Sequence, residues 1–173
     1  MSITYLINAL DRQMLEWAMR CSVPAHHVSG NGRAATLAEL KDVAASIHAH
    51  SFTVWEKGDD FQIEISSDKT IAFPSVGRFA NTVAPGVAVA PASSGLITGA
   101  QQSTGAIKWM SFHGDIMLLV TVVRMLTRTC GPQVLYADCD GIPWIISSSD
   151  SIPMGPEPWH GMLPESKHEA KPD

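Results

Sequence analysis

Two periodicities alternate along this chain, one of three to four residues and one of two, and together they predict its elements. Ile3, Tyr5 and Ile7 alternate with polar neighbours and predict a short strand. Over residues 8–20, Leu10, Met14, Leu15, Trp17 and Ala18 form a helical stripe, with Asp11, Arg12, Gln13, Glu16 and Arg20 opposite. Residues 22–33 hold Pro24, Gly30 and Gly32 and read as a loop. Thr36 and Glu39 then stand at capping-box spacing, with Leu37, Leu40, Val43, Ala44 and Ile47 on one face of the helix that follows. That helix is expected to end near His48 to His50.

Residues 52–56 and 61–65 predict a β-hairpin around Lys57, Gly58, Asp59 and Asp60. A further strand is expected over residues 70–73. The stretch 81–105 is uncharged and made largely of Ala, Gly, Ser, Pro and Val, so it reads as a long, partly ordered insertion. Residues 113–130 are apolar nearly all round, the pattern of a central, buried helix. Gly131 and Pro132 stop it. Residues 134–137 and 142–146 pair as a second hairpin, with Pro143 restricting its strand to an edge or a bulge. The expected fold is α+β: an antiparallel sheet of hairpins packed with about three helices, in one domain over residues 1–150. Residues 151–173, with Pro153, Pro156, Pro158 and Pro164, form an extended tail.

Composition narrows the function classes. At 173 residues the chain is long enough to bury one core. No apolar run approaches the roughly 20 residues that span a bilayer, and the N-terminus lacks the basic start of a secretion signal. Cys21, Cys130 and Cys139 are too few for a disulfide framework, so reduced thiols and a cytoplasmic location are expected. The net charge of −5, without any Lys/Arg cluster, argues against nucleic-acid binding.

Each candidate chemistry meets a plainer explanation. His26-His27 and His48-Ala-His50 lack metal-ligand spacing, because side chains two apart on a helix diverge. No metal and no cofactor is expected. Asp138, Asp140 and Gly141 fit a turn better than a calcium loop. Gly30 and Gly32 precede a helix but follow no strand of dinucleotide-binding type. An enzyme reading would rest on His113 and Asp115 as an acid/base pair, with Cys139 as a nucleophile. Two carboxylates flank Cys139 and disfavour its thiolate, while His113 and Asp115 have a structural use at a helix start.

The helix ending at Gly131, followed by Val134-Leu-Tyr136-Ala-Asp138-Cys-Asp-Gly141, resembles small immunity proteins of bacterial toxin systems. The resemblance spans about the last third of the folded region and rests on element order and a Gly…Tyr-x-Asp…Gly phrase. It implies a small acidic cytoplasmic protein that binds a toxin and blocks its active site; no functional residue transfers with it. Partner contacts are expected from Trp55, Asp59 and Asp60, since aromatic anchors with complementary charge suit such interfaces. Trp159, beside Met162 and Leu163 in the tail, either docks back on the domain or anchors the partner. The alternatives are an enzyme of unrecognised family and a structural subunit of a larger assembly.

Overall fold

The computed structural model describes residues 3–47, 51–66, 94–139, 141–149, 151 and 153–156. Its frame is a seven-stranded sheet, antiparallel at every pairing, with three helices. In chain order the elements are β1 (Thr4–Ala9), α1 (Arg12–Arg20), α2 (Leu37–Ser46), β2 (Ser51–Lys57), β3 (Asp60–Ser66), β4 (Ser94–Gln101), β5 (Ile107–Gly114), α3 (Ile116–Cys130), β6 (Gln133–Ala137) and β7 (Pro143–Ile146). The strands lie in the order β2-β3-β4-β5-β1-β6-β7. The expected α+β class, with an antiparallel sheet and three helices, is therefore what the described residues form.

Alternation decides which strand residues face inward. Phe61, Ile63 and Ile65 of β3 are buried, and register places Gly99, Ile97 and Gly95 of β4 opposite them. Ile97 then meets Phe112, which meets Tyr5 across β1, while Ile7 lies between Met110 and Leu135. This face packs against α2 and α3 in one continuous core. Fully buried Leu119, Val122, Val123 and Leu126 of α3 lie within it, and truncating such a leucine to alanine costs about 2–5 kcal/mol. A smaller core on the opposite face joins Leu10 and Ala18 to Val134 and Ile145, seating α1 at the β6–β7 end. Described residues of the tail return to the same end, where Met154 and Ile145 exchange backbone hydrogen bonds of 2.8 Å each way.

Helix ends follow the local chemistry. Asp11 accepts from the Met14 amide at 2.8 Å and starts α1, so Asn8 and Ala9 belong to β1 rather than to the helix expected over 8–20. The capping box of α2 is complete: Thr36 Oγ1 accepts from the Glu39 amide at 3.2 Å, and the Glu39 carboxylate accepts from the Thr36 amide at 2.9 Å. α3 begins three residues later than the apolar pattern predicts. His113 and Gly114 complete β5, and Asp115 caps the helix by accepting from the Met117 amide at 2.7 Å. Gly114 makes this strand-to-helix corner at φ 143, where a Cβ would stand 2.3 Å from the Ser94 carbonyl oxygen. Gly131, at φ 71, ends α3 as expected.

The largest correction concerns 81–105. Residues 94–101 of this expected insertion form β4, third in the sheet order, hydrogen-bonded to β3 on one side and β5 on the other. Gly95 and Gly99 are compatible with a strand here because aromatic rings lie over them. A Cβ at Gly95 would sit 2.3 Å from Phe112 Cζ, and one at Gly99 would sit 2.5 Å from Phe61 Cζ. Strand β5 was not expected at all, although its residues alternate. β7 lies at one edge of the sheet, the first of the two placements that Pro143 allows. The strand expected over 70–73, the residues 81–93 and His48 to His50 lie outside the described residues, as does Trp159 in the tail.

Candidate functional site

Because α2 and α3 take one face of the sheet and α1 takes only the β6–β7 end of the other, no described helix covers the opposite face from β2 to β5. Register places a continuous row there: Trp55, Gln62, Thr98, Ser111, Leu6 and Tyr136, one residue per strand. The adjacent row carries Lys57, Asp60, Ala100 and Trp109. The middle of this surface is low and polar, with the Thr98 and Ser111 hydroxyls hydrogen-bonded at 2.8 Å. Larger side chains bound it. Trp55 is 50% exposed on one side and Trp109 45% exposed on the other. Beyond Trp109, the rings of Tyr136 and Trp17 meet edge to face at a centroid distance of 5.2 Å, and Tyr136 OH accepts from Asn8 Nδ2 at 3.2 Å.

The β2–β3 hairpin forms the outer rim. Gly58, at φ 63, supplies the positive φ that a tight hairpin turn needs at its first central position. Asp59 and Asp60 are exposed beside it. Trp55, Asp59 and Asp60 thus share one hairpin, with Trp55 and Asp60 on the open face. β2 is an edge strand, paired with β3 alone among the described residues, and six of its seven residues are exposed. Sequence reasoning singled out Trp55 but passed over Trp109. The signal was present: Met110 and Phe112 point into the core while Trp109, Ser111 and His113 alternate with them.

The residues of the enzyme reading lie on three elements: the end of β5, the start of α3 and the turn after β6. His113 is exposed at the end of β5, whereas Asp115 has turned the corner into α3 and is occupied as its cap. Cys139 lies in the turn after β6, which β1 separates from β5. That places it about two strand spacings, roughly 10 Å, from the β5 backbone. No group of three or more potential metal ligands occurs among the described residues.

An ion pair away from this face ties two helices together. Arg33 Nη1 donates to Glu39 Oε2 at 3.0 Å while Nη2 donates to Glu39 Oε1, and Nη2 also reaches the Thr129 carbonyl in the last turn of α3 at 3.2 Å. This clasp ties the start of α2 to the end of α3. The hydrogen bond from Arg33, with those from Thr36, holds the Glu39 carboxyl down at about 2, against the opposing effect of partial burial. The same bond raises the Arg33 guanidinium above its ordinary value. Burial pushes the Cys130 thiol up, and its Sγ lies 3.7 Å from Glu39 Oε2. A protonated, buried thiol is a poor nucleophile.

Comparison of the chain with protein-family models, with curated proteins and with solved structures found no match. No described helix is long and apolar enough to cross a membrane.

Proposed function

We propose that this chain is a protein-binding module whose contact surface is the sheet face between β2 and β5. One observation carries the reading. Trp55 and Trp109, both about half exposed, stand on the same face, which no described helix covers, and flank a floor of small polar residues. Exposed tryptophans in such a position supply the large, rigid contact area that dominates binding energy at protein interfaces. Charges of both signs accompany them: Lys57 and Lys108 with Asp59, Asp60 and Glu64. Such a mixture complements a protein surface better than a polyanionic backbone.

The more specific form is an inhibitor of immunity type that blocks a bacterial toxin. The acidic tip at Asp59 and Asp60, the net charge of −5 and the resemblance of the α3–β6–β7 region support it. In that role the hairpin tip offers carboxylates to basic groups around the partner's active site, while Trp55 fills an adjacent apolar pocket.

Hydrogen–deuterium exchange on the complex with a purified partner tests the placement. Slowed exchange in β2, the β2–β3 turn and β5 is the expected footprint. Protection confined to α2 and α3, with these strands unchanged, contradicts it.

A further inference from the structure

β1 and β5 part company halfway along their length, and a cleft opens in the fork. Their register ends at Ile7 and Met110, while β1 continues along β6 as far as Ala9 opposite Gln133. The start of β5 is drawn the other way: the Ile107 amide donates to the Ala35 carbonyl at 2.7 Å, and Ala106 bridges to Thr36. Lys108 is the extra residue of a bulge at this point, with Trp109 opposite Ala100 and Ile107 opposite Gln101. The resulting cleft has a volume of about 370 Å³. It falls within the range of roughly 300–1,000 Å³ typical of small-ligand pockets.

The walls are amphipathic, and one polar atom is unsatisfied. Gln133, 1% exposed, forms part of the wall. Its amide nitrogen donates to the Gly131 carbonyl at 3.1 Å and the Arg33 carbonyl at 3.3 Å, but its Oε1 is buried with no hydrogen-bond partner among the described residues. A buried acceptor left unpaired is costly, but this oxygen has no accessible surface, so the groups a molecule in the cleft can meet are the charged and apolar side chains of its walls. Asp11 adds a carboxylate to the same wall, with one oxygen committed to the α1 cap. Lys108 contributes the cation, and Met14 and the Trp109 ring give apolar surface.

We propose that this cleft binds a small zwitterion of the free amino-acid class. The ligand's ammonium pairs with the Asp11 carboxylate, its carboxylate pairs with the Lys108 ammonium, and its side chain lies against Met14 and Trp109. This inference shares Trp109 and Lys108 with the proposed protein-binding surface but does not rest on that reading, because the cleft lies in the fork between β1 and β5.

Titration of the isotopically labelled full chain with each free L-amino acid, followed through the Trp109 indole N–H resonance, tests it. A Trp109→Phe variant assigns that resonance. The expected result is a saturable shift for one or a few amino acids, with a dissociation constant in roughly the micromolar to millimolar range. Lys108→Ala, a change at an exposed position, weakens that binding at least about tenfold, as does amidation of the ligand's carboxylate or acetylation of its amine. If no free amino acid at millimolar concentration moves the resonance, or if the capped analogues bind as well as the free acid, the proposal is overturned.

Discussion

Trp55 on β2 and Trp109 on β5 stand on the same face of the sheet with β3 and β4 between them. Three strand spacings across and an offset of two residues along the strands place their backbones roughly 16 Å apart. Neither ring belongs to a core cluster among the described residues, since α2 and α3 occupy the opposite face and α1 sits over β6 and β7. Two large rings held on a rigid sheet at fixed spacing lose little conformational entropy on binding, which favours a preorganised contact surface.

The clasp between Arg33 and Glu39 contributes to stability in a way that two substitutions separate. Glu39→Gln keeps a side chain able to accept from the Thr36 amide but removes the ion pair, and is expected to cost about 1 kcal/mol, Arg33 being half exposed. Glu39→Ala removes both and is expected to cost about 2 kcal/mol. Urea denaturation of the two variants beside the parent protein checks the order.

The same carboxylate gives a pH dependence with a defined sign. Its folded-state value of about 2 lies below the ordinary 4.5, so the folded protein binds this proton less readily than the unfolded chain. The stabilisation is fully present above about pH 4.5, declines as the pH falls, and is gone below about 2. Unfolding free energies measured between these limits should rise with pH more steeply in the parent protein than in Glu39→Gln. Equal slopes would place the acid sensitivity elsewhere.

Gly99→Ala tests why a glycine-bearing segment serves as an inner strand. The added methyl would meet both Phe61 Cζ and the Trp109 carbonyl oxygen at 2.5 Å, and the backbone atom cannot rotate away. A loss of about 1–3 kcal/mol is expected, measured as a lowered denaturation midpoint with an unchanged slope.

The three cysteines should react with a thiol reagent in order of exposure. Cys139 is exposed, Cys21 half-buried and Cys130 buried. Cys139 should be labelled first, and Cys130 only at the rate of unfolding, because its thiol is both covered and held protonated. Rapid labelling of Cys130 in the folded protein would contradict its place beside Glu39.

Local chemistry was legible wherever one residue type has one strong structural use. The capping box at Thr36 and Glu39, the stop at Gly131 and the edge position that Pro143 allows all follow from side-chain and backbone constraints within a few residues. β4 was not legible, because the partners that make Gly95 and Gly99 acceptable are Phe112 and Phe61, rings from two other strands. The helix start was misplaced because apolar β5 runs directly into apolar α3, leaving only Gly114 and Asp115 to mark the corner. Of the candidate surface, the Trp55–Asp59–Asp60 hairpin could be read locally. The face it shares with Trp109 exists only once β4 joins β3 to β5.

The most direct test of the central claim is the dissociation constant of the complex between this protein and a partner isolated from its native cell, with and without the hairpin contacts. Trp55→Ala combined with Asp59→Asn and Asp60→Asn is expected to leave the melting temperature nearly unchanged, since all three residues are exposed. The account predicts that the triple variant binds at least about 30-fold more weakly, the loss of about 2 kcal/mol that marks an interface anchor. Affinity equal to that of the parent protein, at equal stability, would contradict it.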